Sequence, residues 1–207
     1  IYQLAKEGKS LRALPTLADD THQYRIKFLA EGLPTPTHTA TLTFFGDLML
    51  GRYVRTLMDR HGHDYPFENM DNGYLRVNAL LVANLEGPVA EKQINTTKSI
   101  AFRFHPDVVP LLARYHFDAV SLANNHALDM GAQGLEDSFR LLPEGGVAAF
   151  GHPKSVGDGR AVLLREINGQ KIALIGLNDT DFKVKTEEVT AKISELAAEG
   201  YHVIPYI

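Results

Sequence analysis

The chain has 207 residues, of which 44% are hydrophobic and 22% charged, and its formal net charge is −4. This is the composition of a globular protein with one good core and room for a small appendage. The slight negative charge argues against nucleic acid as a partner, because non-specific binding to phosphates needs a basic surface. The sequence has no cysteine, which excludes disulfides and thiolate metal sites, and no apolar run of the length that spans a membrane.

The beginning of the sequence is predicted to form a separate segment. Residues 3–12 fit a short helix, and residues 22–30 alternate polar and apolar positions over most of their length, as in a half-buried strand. The stretch 33–40 is rich in Pro and Thr, which is typical of a stiff linker. We therefore assign residues 1–38 to an N-terminal segment and linker, and residues 39–207 to the main domain. The first residue is Ile and no leader-like pattern follows it, so we expect a longer protein.

Strand-like and helix-like segments alternate through the main domain. The predicted strands are residues 41–45, 79–83, 117–123, 147–150, 161–167, 171–176 and 201–207, and the predicted helices are residues 53–60, 105–115, 134–142 and 187–199. The dipeptide Asn168-Gly169 joins two of the strands and favours a hairpin with a type I′ turn. The alternation predicts an α/β fold with a layered sheet core.

Polar side chains follow three of the predicted strands at the point where each strand ends. They are Asp47 after the first strand, Asn84 and Glu86 after the second, and Asn124, Asn125 and His126 after the third. Open α/β sheets place their ligands at the carboxyl ends of the strands, so we expect these side chains to share one site. Carboxylate and amide oxygens suit hard divalent cations, and an imidazole suits proton transfer.

Each of these groups also has a purely structural interpretation. Asp47 could cap the following helix. Asn84 and Glu86, which share a strand face, could hold the backbone of a loop. Asn125 and the residue before it could form a turn, with His126 as a core histidine. Three independent caps at three strand ends of one sheet would be unusual, so a shared site of metal ligands and an acid is the favoured hypothesis.

Two charged residues near the strand ends leave alternatives open. Arg52 either clamps an anionic substrate through its planar guanidinium or pairs with Asp129 to hold the loop. Asp129 either orients the imidazole of His126, as a carboxylate does for a catalytic histidine, or caps the helix that follows. We include Asp129 among the catalytic residues, and Arg52, Asn84 and Asn124 among the substrate-binding residues.

Several segments around the strand ends belong to one recognisable set. They are Gly46-Asp-Leu-Met-Leu-Gly-Arg52, Asp64-Tyr-Pro-Phe-Glu68, Asn84-Leu-Glu-Gly-Pro88, Asn124-Asn-His-Ala-Leu-Asp-Met-Gly131 with Gly134-Leu135, Gly145-Gly-Val147 with Gly151, and Ile167-Asn-Gly-Gln-Lys-Ile-Ala-Leu-Ile-Gly176. Together they resemble the CapA family of capsule and poly-γ-glutamate biosynthesis proteins, in the calcineurin-like metallophosphoesterase superfamily. The resemblance covers residues 41–207. It implies a four-layer α/β/β/α sandwich with the site at the strand ends, of which this chain is expected to lack the C-terminal part.

The resemblance also implies a metal-dependent, hydrolase-like site. By motif position, Asp47, Glu86 and Asn125 are its metal ligands, and His126 is the histidine that assists the leaving group or stabilises a phosphoryl transition state. The implied cofactor is a divalent ion, of Mn, Mg, Zn or Fe, and the bond cleaved is a phosphoester or a γ-glutamyl amide. The implied location is the cell surface or outside the cell, with a membrane anchor in a part of the protein beyond this chain.

Two departures from the superfamily pattern support a different hypothesis. Met49 stands where the superfamily has the histidine of its Asp-x-His motif, and a thioether is a poor ligand for such ions. The sequence also ends before the family's His-Trp-Gly motif. Both departures favour an accessory subunit of a membrane synthase complex, which would bind or hand on an anionic polymer such as poly-γ-glutamate. A third hypothesis is a degenerate fold that serves only as an interaction surface.

Overall fold

A computed structural model describes residues 12–15, 26–29, 40–70 and 79–207. The chain divides into two compact units, Ile1–Thr37 and His38–Ile207. In the first unit, strands β1 (Arg12–Pro15) and β2 (Ile26–Leu29) pair antiparallel. β2 lies within the strand predicted at residues 22–30.

Two predictions for the first unit fall mainly on residues that the structure does not describe. Of the helix predicted at residues 3–12, only Arg12 is described, and it begins a strand. Of the linker predicted at residues 33–40, only Ala40 is described.

The second unit contains every predicted strand and helix of the main domain. In chain order they are β3 (Thr41–Leu48), α1 (Arg52–His61), β4 (Ala79–Leu85), α2 (Val108–Arg114), β5 (Ala119–Ser121), α3 (Gly131–Glu144), β6 (Ala148–Phe150), β7 (Val162–Ile167), β8 (Gln170–Gly176), α4 (Thr186–Ala198) and β9 (His202–Tyr206). Several bounds differ by up to three residues. α2 begins three residues later than predicted, α3 begins three residues earlier and ends two later, and β3 ends three residues later. β5 is limited to the three residues that pair with both neighbouring strands.

The first sheet of this unit has four parallel strands in the order β3-β4-β5-β6. Its central strands are apolar, as expected for parallel strands that are covered on both faces. One face packs against the helices in a large core that includes Leu85 and Leu122 from the sheet side, Leu112 from α2 and Leu142 from α3. All four strands therefore end at the same edge of the sheet, which is the edge predicted to carry the site.

The second sheet has three strands in the order β7-β8-β9. β7 and β8 form the predicted antiparallel hairpin, and both of its turn residues have positive φ, 51° at Asn168 and 77° at Gly169, as a type I′ turn requires. β9 joins β8 in parallel. Helix α4 packs on this sheet through Leu196, in a core shared with Ile175 and Val156.

The two sheets pack face to face. Val82 and Phe150 of the first sheet share a buried core with Leu163 and Leu174 of the second. The layers are therefore helices, sheet, sheet and helix, so the predicted four-layer α/β/β/α fold is confirmed. None of the helices in the described part of the chain is both long and apolar enough to cross a membrane.

Candidate functional site

An irregularity in β3 brings the first two strand ends into register. β3 and β4 pair regularly from Thr41 with Ala79 to Phe44 with Val82, and the register then shifts so that Asp47 lies opposite Asn84. The side-chain period of a strand is two, so a shift of one residue moves every following side chain to the other face. The extra residue in β3 therefore puts the Asp47 carboxylate on the face where Asn84 lies.

Asn84 joins two carboxylates. Its Nδ2 donates to Asp47 Oδ1 at 2.8 Å and to Glu86 Oε2 at 2.6 Å, so Asn84 and Glu86 do share one face of the strand end. Burial, and then the negative charge of Asp47, raises the pKa of Glu86, although the hydrogen bond from Asn84 partly offsets this. Asp47 does not cap α1, because Gly51 is the N-cap residue and no side-chain cap bond is present there.

Asn124 ties the second strand end to the third. Its Nδ2 donates to Asn84 Oδ1 at 2.9 Å and to the Leu85 carbonyl at 2.8 Å, and its Oδ1 accepts the His126 backbone N–H at 3.0 Å. The residue is buried. Its amide is thus engaged within the protein, and the predicted contact of Asn124 with substrate stays a prediction that this geometry does not favour.

His126 lies between two carboxylates. Its Nδ1 is 2.7 Å from Asp129 Oδ2, its Nε2 is 3.9 Å from Glu86 Oε1, and its ring packs on Phe102 with 4.0 Å between ring centroids. Since Asp129 accepts at Nδ1, the Nε2 atom is left facing Glu86 at the strand ends. Of the two interpretations of Asp129, the structure shows the orienting one, because α3 has Met130 as its N-cap residue and no side-chain cap bond.

Sequence reasoning missed Lys98. Its Nζ donates to Asp129 Oδ1 at 2.6 Å and to the Asn125 carbonyl at 2.8 Å. Asp129 also accepts the Phe102 backbone N–H at 2.7 Å, so the buried carboxylate has three donors. Lys98 stands in a polar stretch without helix or strand periodicity, 31 residues before its partner, and nothing in a single sequence links the two.

Arg52 does not pair with Asp129. Its guanidinium lies 5.8 Å from the centre of the Phe102 ring, on which the imidazole of His126 also packs. The residue is exposed and has a φ of 51°, a value uncommon for a residue other than glycine. Backbone strain of this kind concentrates at functional sites. The other interpretation, an anion clamp, stays a prediction.

Asn125 is half-buried, and its backbone carbonyl is held by Lys98. Its side-chain amide has no hydrogen-bond partner among the described residues. The amide oxygen is therefore free to serve as a ligand at the end of the third strand.

The donors at the strand ends are of the types that divalent cations prefer. Two carboxylates share one amide N–H₂ group. Burial, and then the charge of Asp47, raises the pKa of Glu86, and a cation between the two carboxylates would favour its ionised form. Oxygen donors and an imidazole suit Mn²⁺, Mg²⁺ or Zn²⁺. Across residues 40–70 and 79–207, however, no three His, Asp or Glu side chains already converge as a closed metal site. Met49 packs against the helix-side core.

Residues 41–203 match the family model described as "Bacterial capsule synthesis protein PGA_cap". The chain belongs to this family. This chain is 30% identical over 143 residues to the capsule biosynthesis protein CapA of Bacillus anthracis. The match covers 67% of this chain and 34% of that protein. The PGA biosynthesis protein CapA of Bacillus subtilis is 28% identical over 144 residues, covering 68% of this chain and 38% of that protein.

A probable polyglutamine synthesis accessory protein of Mycobacterium tuberculosis is 32% identical over 94 residues, covering 45% of this chain and 25% of that protein. The chain thus spans roughly a third of the length of the two CapA relatives. The resemblance to the CapA family inferred from the strand-end motifs is confirmed by the family match.

Proposed function

We propose that this PGA_cap protein acts in capsule or poly-γ-glutamate biosynthesis and carries a metal-dependent, hydrolase-like site. Its family and the names of its CapA relatives support the first part. The second part rests on one observation, the sharing of Asn84 Nδ2 by Asp47 and Glu86 beside the imidazole of His126. The bond cleaved is a phosphoester or a γ-glutamyl amide.

Each residue has a role that follows from its position. Asp47, Glu86 and the amide of Asn125 would hold the cation, which would supply activation of water and polarisation of the scissile bond. Asp129 fixes Nδ1 of His126, so that Nε2 is held towards the strand ends and can transfer a proton to the leaving group. Arg52 supplies an exposed guanidinium for an anionic group of the substrate.

Calorimetric titration of Mn²⁺ tests the metal site. We expect the wild-type chain to bind with micromolar affinity or better, and Asp47→Asn and Asn125→Ala each to lose about tenfold or more. Asp59→Asn is the matched control, because Asp59 is an exposed carboxylate on α1 that pairs with Arg55 instead. Absence of Mn²⁺ binding, or equal affinity in all four proteins, contradicts the metal site.

The second candidate is a non-catalytic accessory subunit that binds or transfers an anionic capsular polymer in a membrane synthase complex. It is favoured by Met49, which packs on the core instead of standing as a ligand, and by the absence of three converging His, Asp or Glu side chains in the described residues. The name of the Mycobacterium tuberculosis relative agrees with an accessory role. Both candidates act at the cell surface, with the membrane anchor in another part of the protein.

Turnover separates the two candidates. Mn²⁺-loaded protein is given an activated phosphodiester and a γ-glutamyl oligomer, and product release is followed for wild type, Asp47→Asn and His126→Ala. The enzyme predicts turnover that both variants lose, whereas His61→Ala, a histidine that stacks on Tyr65, keeps it. Oligomer binding without turnover of either substrate supports the accessory subunit.

A further inference from the structure

A pocket of about 220 Å³ lies between the loop after β6, the end of β8 and the beginning of α4. Three of its lining residues, Val156, Leu177 and Val184, belong to the core under α4 and form an apolar wall. Phe182 also lines the pocket and stays exposed. Sites for drug-sized ligands measure roughly 300–1,000 Å³, so this pocket fits one small group or one unit of a chain.

The charged residues of the pocket are two lysines and one glutamate. Lys185 Nζ pairs with Glu188 Oε1 at 2.8 Å, which compensates both charges. Lys154 is exposed, and its ammonium has no partner in the described part of the chain. The pocket therefore presents one uncompensated positive charge.

His152 adds a hydrogen-bond donor beside Lys154. Burial lowers the pKa of His152, which keeps its ring neutral at neutral pH. Its Nδ1 accepts the Lys154 backbone N–H at 3.2 Å, so the proton of the neutral ring is on Nε2. An N–H donor next to an unpaired ammonium matches the two oxygens of a carboxylate.

Asn178 fixes the shape of the pocket. The residue is buried, and its Nδ2 donates to the Pro153 carbonyl at 3.0 Å and to Asp181 Oδ1 at 2.8 Å. These bonds tie the loop after β6 to the loop after β8. A ligand consequently meets walls that are already in place, which lowers the entropic cost of binding.

Gly176 lies between the pocket and the end of the third strand. This glycine lines the pocket, and a Cβ built on it would lie 3.1 Å from Ala123 Cβ. Ala123 directly precedes Asn124, where the polar residues of the third strand end begin. The pocket and the third strand end therefore share Gly176 as a neighbour.

We propose that this pocket is a carboxylate subsite that holds one γ-glutamyl unit of an acidic polymer bound at the strand ends. The methylenes of the unit pack on the apolar wall and Phe182, and its free carboxylate accepts hydrogen bonds from Lys154 Nζ and His152 Nε2. The choice of polymer rests on the function proposed above, whereas the charge and shape of the pocket do not.

The test is a titration of ¹⁵N-labelled protein with a synthetic γ-glutamyl pentamer, followed by amide chemical shifts. The pentamer with amidated side carboxylates and inorganic phosphate are the comparison probes. We expect shifts at the pocket residues, and Lys154→Met to weaken pentamer binding about tenfold, because it removes a charge-assisted bond. Lys183→Met is the matched control, since Lys183 is exposed on the loop after β8, which borders the pocket, but does not line the pocket itself.

Several outcomes overturn the subsite. Equal losses in Lys154→Met and Lys183→Met indicate diffuse attraction of charge, and equal binding of the amidated pentamer or of phosphate removes the preference for a carboxylate. Absence of pentamer binding also overturns it. Mn²⁺ titration of the same samples keeps the two proposals apart: Mn²⁺ binding without the pentamer contradicts only the subsite, and pentamer binding without Mn²⁺ contradicts only the metal site.

Discussion

The ionised carboxylate of Glu86 lowers the free energy of unfolding of the protein. Its pKa is raised by burial and by the charge of Asp47, so the folded state binds the Glu86 proton more tightly than the unfolded chain. The stability from this proton is fully present below the ordinary value of 4.5 and is lost as the pH rises through the raised pKa. We expect Glu86→Gln to raise the free energy of unfolding at pH 7, by on the order of 1 kcal/mol or less.

Urea unfolding at several pH values measures this effect. The gain in stability of Glu86→Gln over wild type should disappear well below pH 4.5, because the wild-type Glu86 side chain is then neutral in the folded and the unfolded state, like the amide that replaces it. Glu91→Gln is the control, because Glu91 is an exposed glutamate outside the site. A Glu86→Gln variant that is less stable than wild type at pH 7, in the absence of metal, would contradict the raised pKa of Glu86.

Asp129, in contrast, stabilises the folded protein, because its buried carboxylate is fully paired. It accepts from Lys98, His126 and the Phe102 backbone. Removing it leaves His126 Nδ1 and the Phe102 N–H without this acceptor, and Lys98 with the Asn125 carbonyl alone. We expect Asp129→Ala to lower the free energy of unfolding by about 3–5 kcal/mol. Lys98→Met should cost less, because the Lys98 side chain is 42% exposed. Thermal unfolding measures the stability of both variants, and Asp137→Ala on α3 is the control. Similar small losses of stability in all three variants would contradict the stabilising role of the hydrogen bonds to Asp129.

At the scale of elements, the strand ends were predictable and their exact registration was not. The apolar runs that end in Asn84 and His126 identify buried parallel strands, and with the run that ends in Asp47 they identify the edge that carries polar groups. The register shift in β3 leaves no such signal, because the glycine at position 46 is equally compatible with a turn. Lys98 was missed for a related reason, since its contact depends on a loop that only the tertiary structure places.

The ends of β5, β6 and β8 approach one another closely, which leads to a prediction about two glycines. Gly151 has a φ of 83°, and a Cβ on it would lie 2.8 Å from Ala123 Cβ; a Cβ on Gly176 would lie 2.5 Å from Gly151 Cα. We expect Gly151→Ala to destabilise the fold by about 2–4 kcal/mol and Gly176→Ala by about 1–3 kcal/mol. Denaturant unfolding checks this. Gly159→Ala, with no atom near the added methyl group, should be neutral.

At the scale of the whole molecule, the candidate site depends on the packing of one sheet on the other. The layered fold was predictable from alternating elements and from the resemblance to a known family, but the contacts between sheets join residues far apart in the chain. Tyr206 of β9 shows this. Its hydroxyl donates to the Phe45 carbonyl of β3 at 2.6 Å, and its ring stacks on Phe44. The last strand thereby supports the segment that carries Asp47.

Burial, and then the charge of Asp47, raises the pKa of Tyr206 to about 12. The neutral phenol therefore favours folding fully below the ordinary value of 10, and this contribution is lost as the pH rises through 12. We expect Tyr206→Phe to cost about 1 kcal/mol at pH 7, because it leaves the Phe45 carbonyl without its donor. The difference from wild type should shrink between pH 10 and 12 in urea unfolding. Tyr53→Phe, at an exposed position, should match wild type at pH 7, and an equal loss there would contradict a specific link between the sheets.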